Sequence, residues 1–355
     1  MGHVIRFEDY TTTDRAVLGG KNASLGELVA AGLPVPPGFA VSADAYKEVL
    51  GTAGLVGPLA EAVAAADPDA GGRARAMVSS APLPGELVDA VRAAYAQLCR
   101  RCGRDDLPVA VRTSATCEDQ PDASFAGEHE TYLWVRGADA VLEHMRRCWA
   151  SLFTDRAICY RAKMGYDEAT AAMSVGVQQM VVPRTSGVAF TLNPHDGDRS
   201  QVAIDASWGF GEAVVGGEVT PDNFLVDKVL GEVSKRTVSS KEIEYRLTGS
   251  DRVERADVGD DRRTTPSLTD EEIKAVAALA RRAERHYGCP QDVEWAIDAH
   301  LAAPDNVLLL QSRPETVWSR RPRASVSSGT AGGYMSIVNT LVSPLHTRRT
   351  ASTDG

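Results

Sequence analysis

Three segments of this chain combine residue types and spacings that suit the binding of an anion and its counter-ion. The first is LGGKNASLGE, residues 18–27, where Gly19 and Gly20 precede Lys21 and a helix is expected to start just after. A flexible backbone, a lysine and a helix N-terminus together favour a phosphate group. The segment is not a Walker A loop, because Arg15 stands where that pattern needs glycine and Asn22 where it needs Ser or Thr. The second is VRTSATCEDQPDASFAGEHETY, residues 111–132. Arg112 follows the apolar run PVAV, so its guanidinium is expected to emerge at the end of a strand, ready for paired hydrogen bonds to phosphate oxygens. The turn Ser124, Phe125, Ala126, Gly127 has little bulk apart from Phe125, which lets backbone N–H groups approach a polyphosphate. Taken singly, these segments also read as a helix start with a surface lysine and as a connecting loop.

The third segment is a pair of strands, residues 292–298 and 306–313. Strand periodicity puts Asp292, Glu294 and Asp298 on one face and Val293, Trp295 and Ile297 on the other. Gln311 and Arg313 share a face of the second strand. A symmetric hairpin through 299–305 sets Glu294 opposite Gln311 and Asp292 opposite Arg313, a register that a bulge would shift. A carboxylate beside an amide oxygen makes a hard oxygen site suited to Mg²⁺, which shares its shell with phosphate and water. The plainer reading is a solvent-facing strand. Two further segments bear on a ligand. Gln178 and Met180, in VGVQQMVVP, fall on one strand face, either as core or as the wall of a base pocket. ASWGFGEAVVGGEVTPDNF, residues 206–224, carries Glu212, Glu218 and Asp222 among glycines, and either shapes a cleft or links two strands.

The elements that must position these residues alternate along the chain. Residues 24–31 are expected to form a short helix ended by Gly32 and Pro34. Residues 86–101 carry a helical stripe of Leu87, Val91, Tyr95 and Leu98, and residues 138–153 a second, with Val141, Met145, Cys148, Trp149 and Leu152. Residues 107–112 and 130–135 read as strands. The second half is richer in strands: 174–182, 186–191, 201–206 and a hairpin over 223–238 turning near Gly231. Residues 251–266 are charged and turn-rich, and a solvated loop is expected there. Residues 270–287 form the clearest helix, with Thr269 and Glu272 as a capping box.

At 355 residues, 43% hydrophobic and 24% charged, the composition is that of a globular protein of two or three lobes. The net charge of −10 argues against nucleic acid as the main partner. No apolar run is long enough to span a membrane, so no membrane partner is expected. MGHVIRFEDY has no apolar signal region, so a cytoplasmic protein is expected. Cys99 and Cys102 form a lone CxxC, read as packing rather than metal binding.

Six segments, GGKNASLGEL, VRTSATCEDQPDASFAGEHETYL, SGVAFTLNP, WGFGEAVVGGEVTPD, QDVEWAID and LLQSRPET, occur in an order that resembles the nucleotide-binding domain of the phosphoenolpyruvate synthase and pyruvate phosphate dikinase family, which includes rifampin phosphotransferase. Any one is weak; the set covers about residues 10–317. The resemblance implies an α/β (α+β) ATP-grasp fold, two mixed α/β lobes that sandwich ATP and Mg²⁺. The lobes are expected at 1–183 and 184–317, followed by a tail, 318–355, poorly ordered or loosely docked. It further implies that Lys21 and Arg112 hold phosphates, with the 124–127 turn closing over them, and that Thr131 sits near the nucleotide. Gln178 and Met180 would border the adenine and Glu212 the ribose. Glu294 and Gln311 would hold Mg²⁺, and Arg313 would contact phosphate; Lys21, Arg112 and Arg313 are thus the expected catalytic residues.

There are departures. Thr113 replaces the usual Ser and Cys117 the usual Ala. Full-length members add a swivelling phosphohistidine domain and an acceptor domain, which this chain is too short to hold. AGGYMS and His346 in the tail do not match the compact Gly-Gly-x-x-Ser-His of the swivelling domain. His129 reads as a surface or hydrogen-bonded residue. Three functional readings stand: an ATP- and Mg²⁺-dependent phosphotransferase acting directly on a small-molecule acceptor; the ATP-binding component of a split system with a separate phosphohistidine-domain protein; or a non-catalytic nucleotide-binding paralogue.

Overall fold

The computed structural model describes residues 2–64, 69–116, 130–164, 171–249 and 252–318. One compact unit spans Met1–Thr316; of the second, Val317–Gly355, all but Val317 and Trp318 lie outside the described residues, and with them the expectation for the tail. Among the described residues no helix is long and apolar enough to cross a membrane.

Strands β1 (Val4–Arg6), β2 (Gly38–Val41), β3 (Val109–Ala115), β4 (Thr131–Val135) and β5 (Met173–Gln179) form a sheet in the order β1-β2-β5-β3-β4, every pairing antiparallel. Val109 and Val111 on β3 and Val175 and Val177 on β5 turn to one face, as period-two alternation requires. That face is covered by helices whose apolar stripes the sequence already displays, α5 (Gly85–Arg101) through Leu87, Val91, Tyr95 and Leu98, and α6 (Ala138–Ala150) through Val141, Met145 and Trp149. Helices α2 (Ala43–Thr52), α3 (Val56–Ala64), α4 (Ala70–Ser80) and α7 (Asp155–Met164) complete this half. Trp149 is fully buried here, and its truncation to Ala would cost about 3–5 kcal/mol.

The second sheet joins β6 (Pro183–Phe190), β7 (Gln201–Trp208), β8 (Asp222–Asp227), β9 (Val233–Thr237), β12 (Gln291–Asp298) and β13 (Val307–Pro314) in the order β13-β12-β6-β7-β8-β9, again antiparallel. Helix α10 (Asp270–Tyr287) lays Ile273, Val276, Ala277 and Ala280 against it. Its start is the expected capping box: the Glu272 carboxylate accepts from the Thr269 N–H at 2.9 Å, and the Thr269 hydroxyl accepts from the Glu272 N–H at 3.3 Å. Gly288, left-handed at φ 68°, ends it.

Residues 251–266 correct the sequence reading. They contain β11 (Val253–Asp257), which pairs antiparallel with β10 (Ile243–Leu247), and the short helix α9 (Asp260–Arg263). The strand was hidden because its residues are largely exposed and carry charge on both faces. The hairpin is held to the second sheet by a buried ion pair. Lys241 Nζ donates to Asp222 Oδ1 at 2.6 Å with neither side chain exposed, and Asp222 also accepts from Ser239 N and from the N–H and hydroxyl of Ser267.

Helix α1 (Arg15–Ala30) is longer than the expected 24–31 and is broken at Gly19, where φ is 67° and ψ 171°. It serves both halves. Leu18, Ala23 and Leu25 pack with Phe7 and Ala40, whereas Leu28, with Leu33 just beyond the helix, joins Trp295 and Leu309 in the core of the second sheet. Ser24 donates to the Ser312 carbonyl at 3.0 Å, and Leu309 N–H donates to the Pro34 carbonyl at 2.9 Å. The last helix–sheet layer therefore contains the first helix.

Candidate functional site

The face of the first sheet opposite α5 and α6 presents Ala110, Arg112 and Ser114 from β3. Registered with them on β5 are Gln178, Gly176 and Ser174, and Thr131 of β4 lies beside Arg112. Helix α1 sits over one end of this face. Asn22 N–H donates to Ser114 Oγ at 3.2 Å, and Asn22 Nδ2 to Ser174 Oγ at 2.9 Å. Gly19 permits this approach, since a Cβ there would lie 2.6 Å from the Ser114 carbonyl oxygen. Gly176 does the same on β5, where a Cβ would lie 2.3 Å from Asn22 Oδ1 and 3.4 Å from Arg112 Cγ. Half-buried Lys21 thus occupies the first turn after the Gly19 break, at the end of the helix nearest Arg112's strand. Asn22, noted in the sequence only for breaking the Walker pattern, is the residue that seats this turn.

From the second sheet comes the β12–β13 hairpin. Its register is the expected one: Glu294 pairs with Gln311 and Asp292 with Arg313, and the bulge falls after Glu294. Arg112 reaches across to it. Nη2 donates to Gln311 Oε1, Nη1 donates to the Leu310 carbonyl at 3.3 Å, and Nη2 lies 3.8 Å from Glu294 Oε2. The Arg112 side chain is 12% exposed, and its Nε is buried with no hydrogen-bond partner among the described residues. Arg313 donates from Nε and Nη2 to Asp292 Oδ2 at 2.8 and 2.7 Å, while its side chain remains half exposed. One cleft therefore gathers a guanidinium, a carboxylate and an amide oxygen from strands far apart in sequence.

Two carboxyls nearby are under strain of charge. Burial pushes Glu212 up; the Glu294 carboxylate adds to this, and the Arg112 guanidinium opposes it. Glu212 Oε2 is buried without a hydrogen-bond partner among the described residues. Burial likewise raises Asp292 despite its pairing with Arg313, and Asp292 Oδ1 has no hydrogen-bond partner among the described residues. Glu212, which opens the short helix α8 (Glu212–Val215), thus lies within the electrostatic reach of both Arg112 and Glu294. Glu294, Gln311 and Glu212 make a hard oxygen donor set. Among the described residues no three His, Cys, Asp or Glu side chains converge into a metal cage.

Gln178 and Met180 are arranged differently from a free strand end. The strand stops at Gln179, and Met180 N–H is engaged with the Pro108 carbonyl at 3.0 Å. Gln178 is buried, and its amide donates to the Pro36 carbonyl at 3.3 Å. Ser124, Phe125, Ala126 and Gly127 lie outside the described residues, as do Cys117 and His129. Asp292 and Asn22 are the site residues that sequence reasoning underweighted. The signals for Asp292 were its place on the same strand face as Glu294 and its register opposite Arg313.

Residues 15–331 match the family described as "Pyruvate phosphate dikinase, AMP/ATP-binding domain". The chain belongs to that family. It is 42% identical over 350 residues to a probable phosphoenolpyruvate synthase of Staphylothermus marinus, covering 90% of this chain and 42% of that protein. It is 40% identical over 340 residues to the phosphoenolpyruvate synthase of Aeropyrum pernix, covering 86% and 41%. A rifampicin phosphotransferase of a Streptomyces species is 40% identical over 321 residues, covering 88% and 36%. The chain thus spans less than half the length of these curated relatives. Among solved structures, that of the D-cycloserine synthetase DcsG covers 93% of this chain and 71% of that one at 13% identity and a TM-score of 0.28, a likeness too slight to argue from. With the family in hand, two antiparallel sheets flanked by helices, with the cleft between them, agree with the α/β ATP-grasp organisation that the motifs implied.

Proposed function

We propose that this domain binds Mg²⁺–ATP in the cleft between its two sheets and transfers a phosphoryl group from it toward a small-molecule acceptor. We take its lobes to be residues 1–183 and 184–317. The observation that carries the reading is the convergence of Arg112, Glu294 and Gln311 at one point of that cleft. Phosphoryl transfer asks chiefly for positioning and charge neutralisation, so cations, hard oxygen ligands and backbone N–H groups suffice.

In this reading Lys21 and Arg112 hold phosphate oxygens, with Thr131 beside Arg112 and the 124–127 turn over them. Arg313 adds a second guanidinium, oriented by Asp292. Glu294 and Gln311 hold Mg²⁺, whose chemistry is to neutralise the phosphate charge. Mg²⁺ at Gln311 Oε1 would repel the Arg112 guanidinium bonded to the same oxygen, so the Arg112–Gln311 bond would be the contact to weaken. Arg112 would then turn to phosphate, a charged partner replacing a neutral one. The Glu212 carboxyl feels the charges of both Glu294 and Arg112, which supports a place on the metal side as an alternative to the ribose. Gln178 and Met180 lie toward the base.

The relatives' greater length is in keeping with a second reading, in which acceptor chemistry lies in a phosphohistidine domain outside this ATP-binding domain, in the split form on a separate protein. Incubation of the purified chain with Mg²⁺–ATP separates the two. AMP or ADP formed with a small-molecule acceptor alone supports direct transfer; product formed only with a histidine-domain partner supports the split system. Tight ATP binding without product under either condition overturns the proposed activity and leaves a nucleotide-binding paralogue.

A further inference from the structure

Trp134 stands out from its surroundings in three ways. Its φ is +60°, and it is the one non-glycine residue with positive φ among the described residues. It lies in a bulge: Val135 pairs with Val109 and Tyr132 with Val111, so Leu133 and Trp134 together face Ala110. Its indole N–H is buried and has no hydrogen-bond partner among the described residues. A bulky side chain in this conformation is costly, and such strain gathers at ligand sites, where the surrounding structure enforces it.

The bulge aims the ring at the cleft. Tyr132 packs on His144 of α6 and Val135 lies in the core of the first half, whereas the Trp134 ring meets Phe210 from the second half edge-on, with centroids 6.3 Å apart. The Arg136 guanidinium lies 6.0 Å from the Trp134 ring centroid, within the range of a cation–π contact.

Position along the sheet identifies the ligand part. Helix α1 closes the cleft face at Ser114, and Arg112 comes next. Trp134 lies at the level of Ala110, about 7 Å further along the strand from Arg112. Met180, bonded to Pro108, lies at that same end. A nucleotide whose phosphates meet Arg112 has its other end directed this way, because the opposite direction is filled by α1. An indole N–H only donates, so it calls for an acceptor, such as a purine ring nitrogen.

We propose that Trp134 is a base-contacting residue, its N–H donating to a ring nitrogen of a purine and its ring, with Phe210, walling the base. This rests on the reading of the cleft as a nucleoside triphosphate site.

The test is calorimetric titration of the parent chain, Trp134→Phe and Trp134→Gly with Mg²⁺–ATP and with Mg²⁺–tripolyphosphate, which has phosphates but no base. Trp134→Phe keeps the ring and removes the donor. Trp134→Gly removes both and accommodates the positive φ; the thermal midpoint verifies its fold. The expected result is ATP binding weakened about tenfold in the Phe variant, as for one lost hydrogen bond, at least as much in the Gly variant, and unchanged tripolyphosphate binding. ATP affinity equal to the parent in both variants overturns the inference while leaving the ATP site standing, and so does a parallel loss of both ligands in the Phe variant. A parent that binds neither ligand overturns the ATP site itself, and this inference with it.

Discussion

Arg112 and Gln311 meet across the gap between the two sheets, the guanidinium of one donating to the side-chain oxygen of the other, although 199 residues separate them. The same guanidinium faces Glu294 at 3.8 Å. Arg112 is thus the point at which the first sheet senses the charge of the second.

If Lys21 and Arg112 hold phosphates as proposed, Lys21→Ala and Arg112→Ala are expected to lower ATP turnover by about 100-fold each, since each removes a charged donor from the phosphates. Circular dichroism should show both folded. Arg112→Lys should recover little, because an ammonium lacks the paired donors of a guanidinium. ATP kinetics matching the parent in both alanine variants would remove the phosphate assignment.

In the proposed Mg²⁺ site, Glu294→Gln would replace a hard anionic ligand with a neutral one. The Mg²⁺ concentration for half-maximal activity should rise about tenfold or more. A titration at fixed ATP reads this directly, and an unshifted curve would count against Glu294 as a ligand.

Glu212 provides a pH signature. Burial holds its carboxyl above the ordinary value of 4.5, so the folded state binds this proton more tightly than the unfolded chain does. The associated stability is complete below the ordinary value and is lost as pH rises through the raised one. Glu212→Gln should therefore raise the thermal midpoint by about 2 °C near neutral pH. The gain should fade on acidification toward the ordinary carboxyl value. A gain that grows in acid would reverse the sign and refute the account.

The buried Lys241–Asp222 pair should matter for stability rather than chemistry. Asp222→Ala strands the Lys241 charge and the Ser267 donors, and should cost about 3–5 kcal/mol in urea unfolding. Hydrogen exchange should quicken first in the β10–β11 hairpin. Asp222→Ala combined with Lys241→Met should cost less than the sum of the two single changes.

Much of this site was legible because its signals are local. Alternation on two strands joined by a short turn was enough to set Glu294 opposite Gln311. Thr269 and Glu272 announced α10 three residues apart. What was hidden depends on distance or on the absence of apolar contrast. β11 carries charge on both faces, so period-two hydrophobicity could not betray it. The break at Gly19 follows from how closely α1 approaches Ser114, a neighbour 92 residues beyond Asn22. The contact of Arg112 with Gln311 could not be read from either segment alone, and the field at Glu212 arises only once the two sheets face each other.

Helix α1 also limits how this domain can be cut or recombined. Its Leu28 and the following Leu33 rest against strands made from the far end of the chain. A fragment holding only the first sheet would display these leucines to water and tend to clump. During synthesis that surface waits uncovered until the β12–β13 hairpin has been made. Chimeras between related domains should therefore exchange the opening 35 residues and the closing hairpin as a matched set.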